Sequence, residues 1–241
     1  GPEGAHFAWD SRDFSRRVSY AGNERNRLLS NLVFQPGQRL VFIGDSITDA
    51  GRRKEGIPYG SGYVHLARAF LIARYPELGL AILNQGIGGN TIRDLDRRWE
   101  EDVVRVQPDW LSIKIGINDV WRQVAQRPDE AVLLEEYAAT YERLLRRTRA
   151  ATQARLILME PYVIERDRDD PFRAIIDTYL PVVHRLAREY DAILIQTQAA
   201  FDEALAAQPS SYWATDRVHP NAPGHAVIAR AFLRGVGYGD I

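Results

Sequence analysis

The sequence of 241 residues predicts an α/β protein, a three-layer α/β/α sandwich with a five-stranded parallel sheet in its middle. Two observations support this fold class: short apolar segments rich in β-branched residues, and longer segments with helical spacing between them. Strands that are apolar along their whole length and alternate with helices are typical of a parallel sheet covered on both faces. The crossovers between such strands are right-handed.

Each predicted element follows from this pattern. The strands are RLVFI (39–43), LAILN (80–84), WLSIKI (110–115), RLILM (155–159) and AILIQ (192–196). Helical spacing is clearest in residues 129–151 and 171–190, where apolar side chains recur every three or four positions. Pro181 lies inside the second of these segments and predicts a kink or a boundary there. A last helix is expected after Pro223.

The predicted sandwich occupies residues 39–241 as a single domain, because residues 39–237 contain no repeat, low-complexity tract or linker. Residues 1–38 form an N-terminal extension of unknown role, and its first ~35 residues are polar and rich in arginine. Three alternatives stay open for it: packing on the domain, contact with another copy in a homo-oligomer, or disorder.

Composition excludes several functional classes. A net charge of −1 removes the bulk electrostatic case for a nucleic-acid or membrane partner. The absence of cysteine excludes disulfides, thiolate nucleophiles and cysteine-ligated zinc. No apolar run reaches the ~18–20 residues of a membrane span, and GPEGAHFAWDSRDF at the N-terminus lacks the apolar core of a signal peptide. We therefore expect a cytoplasmic protein with no membrane or nucleic-acid partner.

Polar and glycine-rich segments follow the first three predicted strands. They read GDS (44–46), QGIGGNT (85–91) and GIND (116–119). In open parallel sheets, ligands bind beyond the carboxyl ends of the strands. We therefore expect a serine, a glycine-rich turn and an asparagine to meet at one edge of the sheet. Each segment alone is equally compatible with a plain turn.

A nucleophilic serine needs a base and a group that orients the base. His219 is the best candidate for the base, because it lies in the loop ATDRVHPN with Asp216 three residues before it. A carboxylate at that distance can accept a hydrogen bond from the imidazole and select its tautomer. The other four histidines lie in helical patterns, at a helix start or in the irregular N-terminus: His6, His65, His184 and His225. A D-x-x-H pair on its own is more often structural than catalytic.

Four blocks, FIGDSITD, QGIGGNT, IGIND and DRVHP, occur in this order within residues 39–237. Together they resemble the SGNH, or GDSL, hydrolases. The segments PDWLSIKIGINDVWR and WATDRVHPNAPGHAVIARAFLR resemble the small bacterial acetylxylan esterases of that family in particular. Block I departs from the family pattern with Ile47 and Thr48 in place of Leu and Ser, and Gly88 stands where Ser is frequent.

The resemblance implies a flavodoxin-like sandwich and a serine esterase. It makes Ser46 the nucleophile, His219 the general base and acid, and Asp216 the residue that orients the histidine. The oxyanion hole is then formed by the backbone N–H groups of Ser46 and Gly89 and the side-chain amide of Asn118. The mechanism requires no metal or organic cofactor.

The expected substrate is a short-chain ester, above all an acetyl ester of xylan, a xylo-oligosaccharide or a related saccharide. Aromatic side chains fall near the predicted site, and flat aromatic faces suit sugar rings. The predicted substrate-binding residues are Asp45, Tyr59, Trp121, Tyr162 and Trp213. Large aromatics are buried on average, so about half of these should line the cleft. The alternatives are a lysophospholipase, thioesterase or acetylhydrolase acting on a non-sugar ester, and a non-catalytic carbohydrate-binding module.

Overall fold

The structure, a computed structural model, describes Gly22 and residues 31–54, 56–239 and 241. Most of the predicted N-terminal extension therefore lies outside the described residues. The division into residues 1–38 and a single domain over 39–241 stays a prediction.

One parallel sheet of five strands organises the described part of the chain, in the order β2-β1-β3-β4-β5. The strands are β1 (Arg39–Gly44), β2 (Ala81–Gly86), β3 (Trp110–Lys114), β4 (Arg155–Met159) and β5 (Ile193–Ile195). All neighbouring strands pair in parallel. The predicted fold class is confirmed, and each strand differs from its predicted range by at most two residues at either end. The flavodoxin-like order places a switch point beside β1, where ligands bind in such folds.

Helices connect the strands and cover both faces of the sheet. They are α1 (Ser46–Asp49), α2 (Tyr63–Arg74), α3 (Ile92–Trp99), α4 (Ile117–Val124), α5 (Leu134–Ala151), α6 (Pro171–Glu189), α7 (Thr197–Ala207), α8 (Ser210–Trp213) and α9 (Ala222–Gly235). A 3₁₀ turn at Pro76–Leu78 precedes β2, and a π-helical segment at Glu100–Val104 continues α3. Among the described residues, no helix is long and apolar enough to cross a membrane.

Two helical segments differ from their predicted form. The helix predicted over 129–151 begins at Leu134, because residues 128–130 form turns closed by backbone bonds to Arg127. Pro181 lies within the continuous helix α6, so the prediction of a boundary there is wrong. Proline removes one backbone donor, and the buried side chains of Tyr179 and Val183 on either side keep this helix on the sheet.

The core lies on both sides of β1 and β3. Every residue of β3 is buried, and in β1 only Arg39 at the start is exposed. Continuous burial explains why these strands are apolar along their whole length rather than alternating. Two residues of β3 are exceptions to this apolar character: Ser112, and Lys114 at the end of the strand, which is charged and fully buried.

Candidate active site

The carboxyl ends of the three central strands lie level with one another. Gly44 at the end of β1 is in register with Gly86 of β2 and with Lys114 of β3. The segments that follow these strands therefore emerge at the same edge of the sheet. The predicted meeting of the three polar segments depends on this register.

The segment after β1 turns sharply and presents Ser46 as the first residue of α1. Asp45 caps this helix, because its Oδ1 accepts a hydrogen bond from the Ile47 amide at 3.0 Å. A Cβ atom on Gly44 would lie 2.4 Å from the Lys114 carbonyl oxygen and 2.5 Å from Thr48 Oγ1. Glycine at position 44 is therefore required by close packing at the strand end, and it allows the chain to turn directly into the serine.

Ser46, His219 and Asp216 form one hydrogen-bonded chain. Ser46 Oγ lies 3.0 Å from His219 Nε2, and His219 Nδ1 lies 2.6 Å from Asp216 Oδ2. The histidine and aspartate side chains are about half exposed, so solvent and ligands reach the site. The structure thus brings together three residues that are up to 173 positions apart in the sequence.

Asp216 is held as a carboxylate. Its Oδ1 accepts from the backbone N–H groups of Val218 at 2.9 Å and His219 at 2.7 Å. Partial burial raises the pKa of Asp216, but the hydrogen bonds from the His219 side chain and from these two amides outweigh it and lower the pKa below its usual value. An ionised Asp216 accepts a hydrogen bond from the N–H at Nδ1, which leaves the lone pair of Nε2 directed at Ser46 Oγ.

The loop that carries His219 is tied to the segment after β4. Tyr162 donates a hydrogen bond from its hydroxyl to the Val218 carbonyl at 3.0 Å. The Ile164 amide donates to the Arg217 carbonyl at 2.8 Å. Arg217 has a positive φ of 66°, and its side chain pairs with Glu165 at 2.8 Å. These bonds hold the loop in the conformation that aims His219 at Ser46.

The predicted oxyanion donors come from the segments after β2 and β3. The first of these segments passes beside the serine, because a Cβ on Gly88 would lie 3.8 Å from Ser46 Cβ. Gly89 follows with a positive φ of 81°. Asn118 donates from Nδ2 to the Asn90 carbonyl at 3.0 Å, and an amide nitrogen carries a second hydrogen that this bond does not use. The backbone N–H groups of Ser46 and Gly89 donate to no residue within the described ranges.

Asp119 is a site residue that the sequence reasoning missed. It is fully buried, and its Oδ1 accepts from the Ile92 amide at 3.0 Å, which ties the start of α3 to α4. Burial raises the pKa of Asp119 to about 7, although the hydrogen bond from Ile92 opposes this. Asp49 has a similar role, because its Oδ2 accepts from the Gly88 amide at 3.0 Å. The signal in the sequence was an acidic residue three positions after Ser46 in block I and one directly after Asn118 in block III.

Two of the predicted substrate-binding residues do not line the cleft. Asp45 and Tyr162 are fully buried. Asp45 is directed inward because it caps α1, and Tyr162 is directed inward because its hydroxyl reaches the Val218 carbonyl. Neither side chain has exposed surface for a substrate, so these two predictions are wrong. Both residues instead support the segments that carry Ser46 and His219.

The other three predicted aromatics keep some exposure. Trp121 has 43% of its surface exposed, with its ring packed against Phe172 at 5.7 Å between centroids. Tyr59 is half-buried under the Arg68 guanidinium, 3.9 Å from the ring centroid. Trp213 is half-buried and donates from Nε1 to the Gln208 carbonyl at 3.3 Å. Their contact with substrate stays a prediction.

No metal centre accompanies this site within the part of the chain that the structure describes. There, no three or more His, Asp and Glu side chains are grouped so that they could hold a metal ion. The chemistry available at the described site is that of an activated serine with nearby hydrogen-bond donors.

Comparison with known proteins extends this picture. The model of the GDSL-like Lipase/Acylhydrolase family matches residues 42–227. A protein of Geobacillus stearothermophilus named acetylxylan esterase is 48% identical over 209 residues, which cover 84% of this chain and 95% of that protein.

Solved structures agree with the sequence relatives. The crystal structure of Axe2, an acetylxylan esterase from Geobacillus stearothermophilus, is similar with a TM-score of 0.82 and 46% identity, over 86% of this chain and 97% of that one. LAE5, described as an alpha/beta hydrolase enzyme from the metagenome of Lake Arreo, has a TM-score of 0.82 and 44% identity, over 86% of this chain and 99% of that one. Three further Axe2 structures are described as catalytic mutants, with a serine, an aspartate or a histidine changed to alanine.

The matched family segment begins inside β1 and ends inside α9, so it includes the end of β1, the other four strands and every residue of the site described above. The matched regions cover 95% of the curated relative and 97% of the Axe2 structure. The resemblance seen in the sequence is confirmed: the chain belongs to the GDSL-like lipase/acylhydrolase family and is a carboxylic ester hydrolase.

Proposed function

We propose that this protein removes acetyl groups from xylan-derived saccharides through an acyl-enzyme intermediate on Ser46. The observation that carries the proposal is the hydrogen-bonded chain from Ser46 Oγ through His219 to Asp216, with distances of 3.0 Å and 2.6 Å. These are the distances at which a base can take the proton of a hydroxyl nucleophile and be oriented in turn by a carboxylate.

The first half of the reaction acylates the serine. Ser46 Oγ attacks the ester carbonyl carbon while its proton passes to His219 Nε2. The tetrahedral intermediate collapses when the bond from carbon to the sugar oxygen breaks, and the protonated His219 returns its proton to that oxygen. Asp216 stays ionised throughout and stabilises the imidazolium that forms beside it.

The second half restores the enzyme. A water molecule loses its proton to His219 and attacks the acyl carbon, and the bond to Ser46 Oγ then breaks. His219 returns the proton to the serine, and acetate leaves. In both halves the negative oxygen is bound by the N–H groups of Ser46 and Gly89 and by the free hydrogen of the Asn118 amide.

The relatives support both the catalytic roles of Ser46, Asp216 and His219 and the proposed substrate class. The matched protein of Geobacillus stearothermophilus is named an acetylxylan esterase. The aspartate and the histidine replaced in the catalytic mutants of Axe2 lie three positions apart, as Asp216 and His219 do here. This chain supplies the same three residue types in the hydrogen-bonded order that the reaction needs.

Asn118→Ala should lower kcat by about 10²- to 10³-fold, or about 2.7–4 kcal/mol of transition-state stabilisation. The amide donates to an oxygen whose charge develops only in the transition state, so KM should change little. The check is steady-state kinetics with p-nitrophenyl acetate, with circular dichroism to show an intact fold. A loss smaller than about threefold in a folded variant would remove Asn118 from the oxyanion hole.

Trp121 is the exposed aromatic with the best position to bind a sugar ring. It lies three residues after Asn118 in α4, so the two side chains share a face of the helix. An indole with one exposed face offers an apolar surface next to polar solvent, which suits the CH face of a pyranose. We therefore place the saccharide on the α4 side of Ser46.

Trp121→Ala should raise KM for acetylated xylo-oligosaccharides by about tenfold, roughly the 1.4 kcal/mol that one aromatic contact supplies. KM for p-nitrophenyl acetate, which has no sugar ring, should change less than about twofold. Phe70→Ala is the matched control, because Phe70 is similarly exposed but packs on Tyr238. Equal changes with both substrates would contradict a sugar contact.

The substrate class is tested by acetate or acyl release from a panel of acetylated xylo-oligosaccharides, other acetylated sugars, and lysophospholipids. We expect the highest kcat/KM with acetylated xylo-oligosaccharides and a decline with p-nitrophenyl esters of increasing chain length. A clear preference for lipids or long acyl chains would overturn the saccharide assignment while leaving the serine mechanism in place.

A further inference from the structure

Lys114 is a buried cation that the mechanism above does not use. It is one of two lysines among the chain's 31 basic residues, and the other, Lys54, is exposed. Lys114 is fully buried, and its Nζ makes no hydrogen bond to any residue in the described ranges. Burying an ammonium group is unfavourable unless a charge or dipole offsets it. We therefore expect a compensating negative charge near Lys114.

Among the described residues, the negative charge that acts on Lys114 is the carboxylate of Asp45. Lys114 is in register with Gly44, the residue before Asp45. Asp45 is fully buried too: its Oδ1 accepts from the Ile47 amide, and its Oδ2 has no hydrogen-bond partner among the described residues. Burial raises the pKa of Asp45, and the charge of Lys114 opposes that rise. Each group is therefore the electrostatic counterpart of the other.

The other titratable groups around the pair come from α2, α9, the segment after β4 and the loop of His219, whose charge also acts to lower the pKa of Asp45. Tyr162, after β4, lies with its ring centroid 4.3 Å from Lys114 Nζ. Tyr63, in α2, donates from its amide to His225 Nδ1 of α9 at 3.1 Å. Burial, then the charges of Lys114 and His219, lower the pKa of His225 to about 4, so it is neutral. Within this group, Lys114 supplies the positive charge and Asp45 the negative one.

Lys114 lies between the two segments that carry the reacting groups. On one side, Asp45 caps the helix that begins with Ser46. On the other, the ring that faces the ammonium belongs to Tyr162, whose hydroxyl holds the Val218 carbonyl next to His219. A change in the charge of Lys114 therefore acts on both ends of the Ser46–His219 hydrogen bond.

We propose that Lys114 is a positioning residue for ester hydrolysis: its buried ammonium charge offsets the buried carboxylate of Asp45 and so fixes the turn that presents Ser46 to His219. The inference rests on the proposed role of Ser46. Without the ammonium, the Asp45 carboxylate has no compensating charge and shifts toward water. This shift weakens its charge-assisted bond to the Ile47 amide and loosens the turn.

The proposal predicts opposite effects of high pH on activity and on stability. Burial lowers the pKa of Lys114 to about 8, although the charge of Asp45 opposes this. As pH rises through about 8, Lys114 loses its proton and kcat falls. An unfolded chain keeps that proton up to its ordinary pKa of 10.5, so it binds more protons than the native state in this interval. The contribution of Lys114 to the free energy of unfolding therefore increases with pH, so a fall in kcat over this interval is not caused by loss of the fold.

The test compares Lys114→Met, Asp45→Asn and the double variant with wild type, using p-nitrophenyl acetate between pH 6 and 10. Lys114→Met should lower kcat at pH 7 by about 10- to 100-fold with KM changed less than about threefold, because a small misplacement of the nucleophile costs this much. Its alkaline decline near pH 8 should disappear. The double variant should recover several-fold over either single variant, because no buried charge is left unpaired.

Lys54→Met is the matched control and should behave as wild type in kcat and pH profile. An unchanged kcat and alkaline decline in folded Lys114→Met would overturn the proposal. If Lys114→Met does not fold, the proposal is tested with the double variant and with the dependence of wild-type kcat on pH. A wild-type kcat that does not decline at alkaline pH would overturn the proposal as well. Failure of the proposed function is distinguishable, because wild type would then show no hydrolysis that depends on Ser46 at any pH.

Discussion

Ser46→Ala is expected to lower kcat for ester hydrolysis by about 10⁶-fold, the scale seen when a serine hydrolase loses its nucleophile. The hydroxyl supplies the atom that forms the acyl-enzyme, and no other group in the hydrogen-bonded chain replaces it. The fold should remain, since Ser46 Oγ makes a side-chain hydrogen bond to His219 and caps no helix. The melting temperature should therefore stay close to that of wild type.

The measurement combines steady-state kinetics with labelling by a fluorophosphonate probe, which reacts with activated serines. Wild type should be labelled and Ser46→Ala should not. Ser61→Ala is the matched control, because Ser61 is an exposed serine whose hydroxyl donates to the Ala50 carbonyl at 3.2 Å. Near-normal hydrolysis by Ser46→Ala would end the acyl-enzyme proposal, and absence of labelling in wild type would favour a binding module on the same fold.

Asp216→Asn is expected to lower kcat by about 10³- to 10⁴-fold without unfolding the protein. The asparagine oxygen can still accept from the amides of Val218 and His219, as Asp216 Oδ1 does. Its amide nitrogen, however, would donate to His219 Nδ1 and place the imidazole proton on Nε2. The histidine would then direct a donor at Ser46 and could not take the serine proton.

The check is kcat from pH 6 to 9 together with thermal unfolding of the same preparations. Asp96→Asn is the control, since Asp96 pairs with Arg143 on the surface and should change kcat less than about twofold. An Asp216→Asn enzyme that keeps more than a tenth of wild-type kcat would show that the tautomer of His219 is selected by another group.

Much of the fold could be predicted from the sequence, because strands that are buried on both faces of the sheet have a simple, nearly continuous apolar pattern. The strands β1 and β3 are mostly apolar because nearly all of their residues are buried, and their ranges were predicted to within one residue. The sites of Ser46 and Asn118 followed from a topological rule, that side chains after parallel strands meet at one edge. The pairing of Asp216 with His219 could be predicted because the two residues are three positions apart in one loop, so their contact is local.

The sequence by itself determined the fold class, the family and the residues proposed to react, because these depend on local patterns and on the order of four short blocks. Only the tertiary structure decided which neighbouring polar and aromatic groups are buried. Asp45 and Tyr162 resemble cleft residues in the sequence, yet their side chains turn inward to partners at Ile47 and Val218. The burial of Lys114 could not be predicted either, because the exposure of a strand residue depends on every element that packs around it in the folded chain.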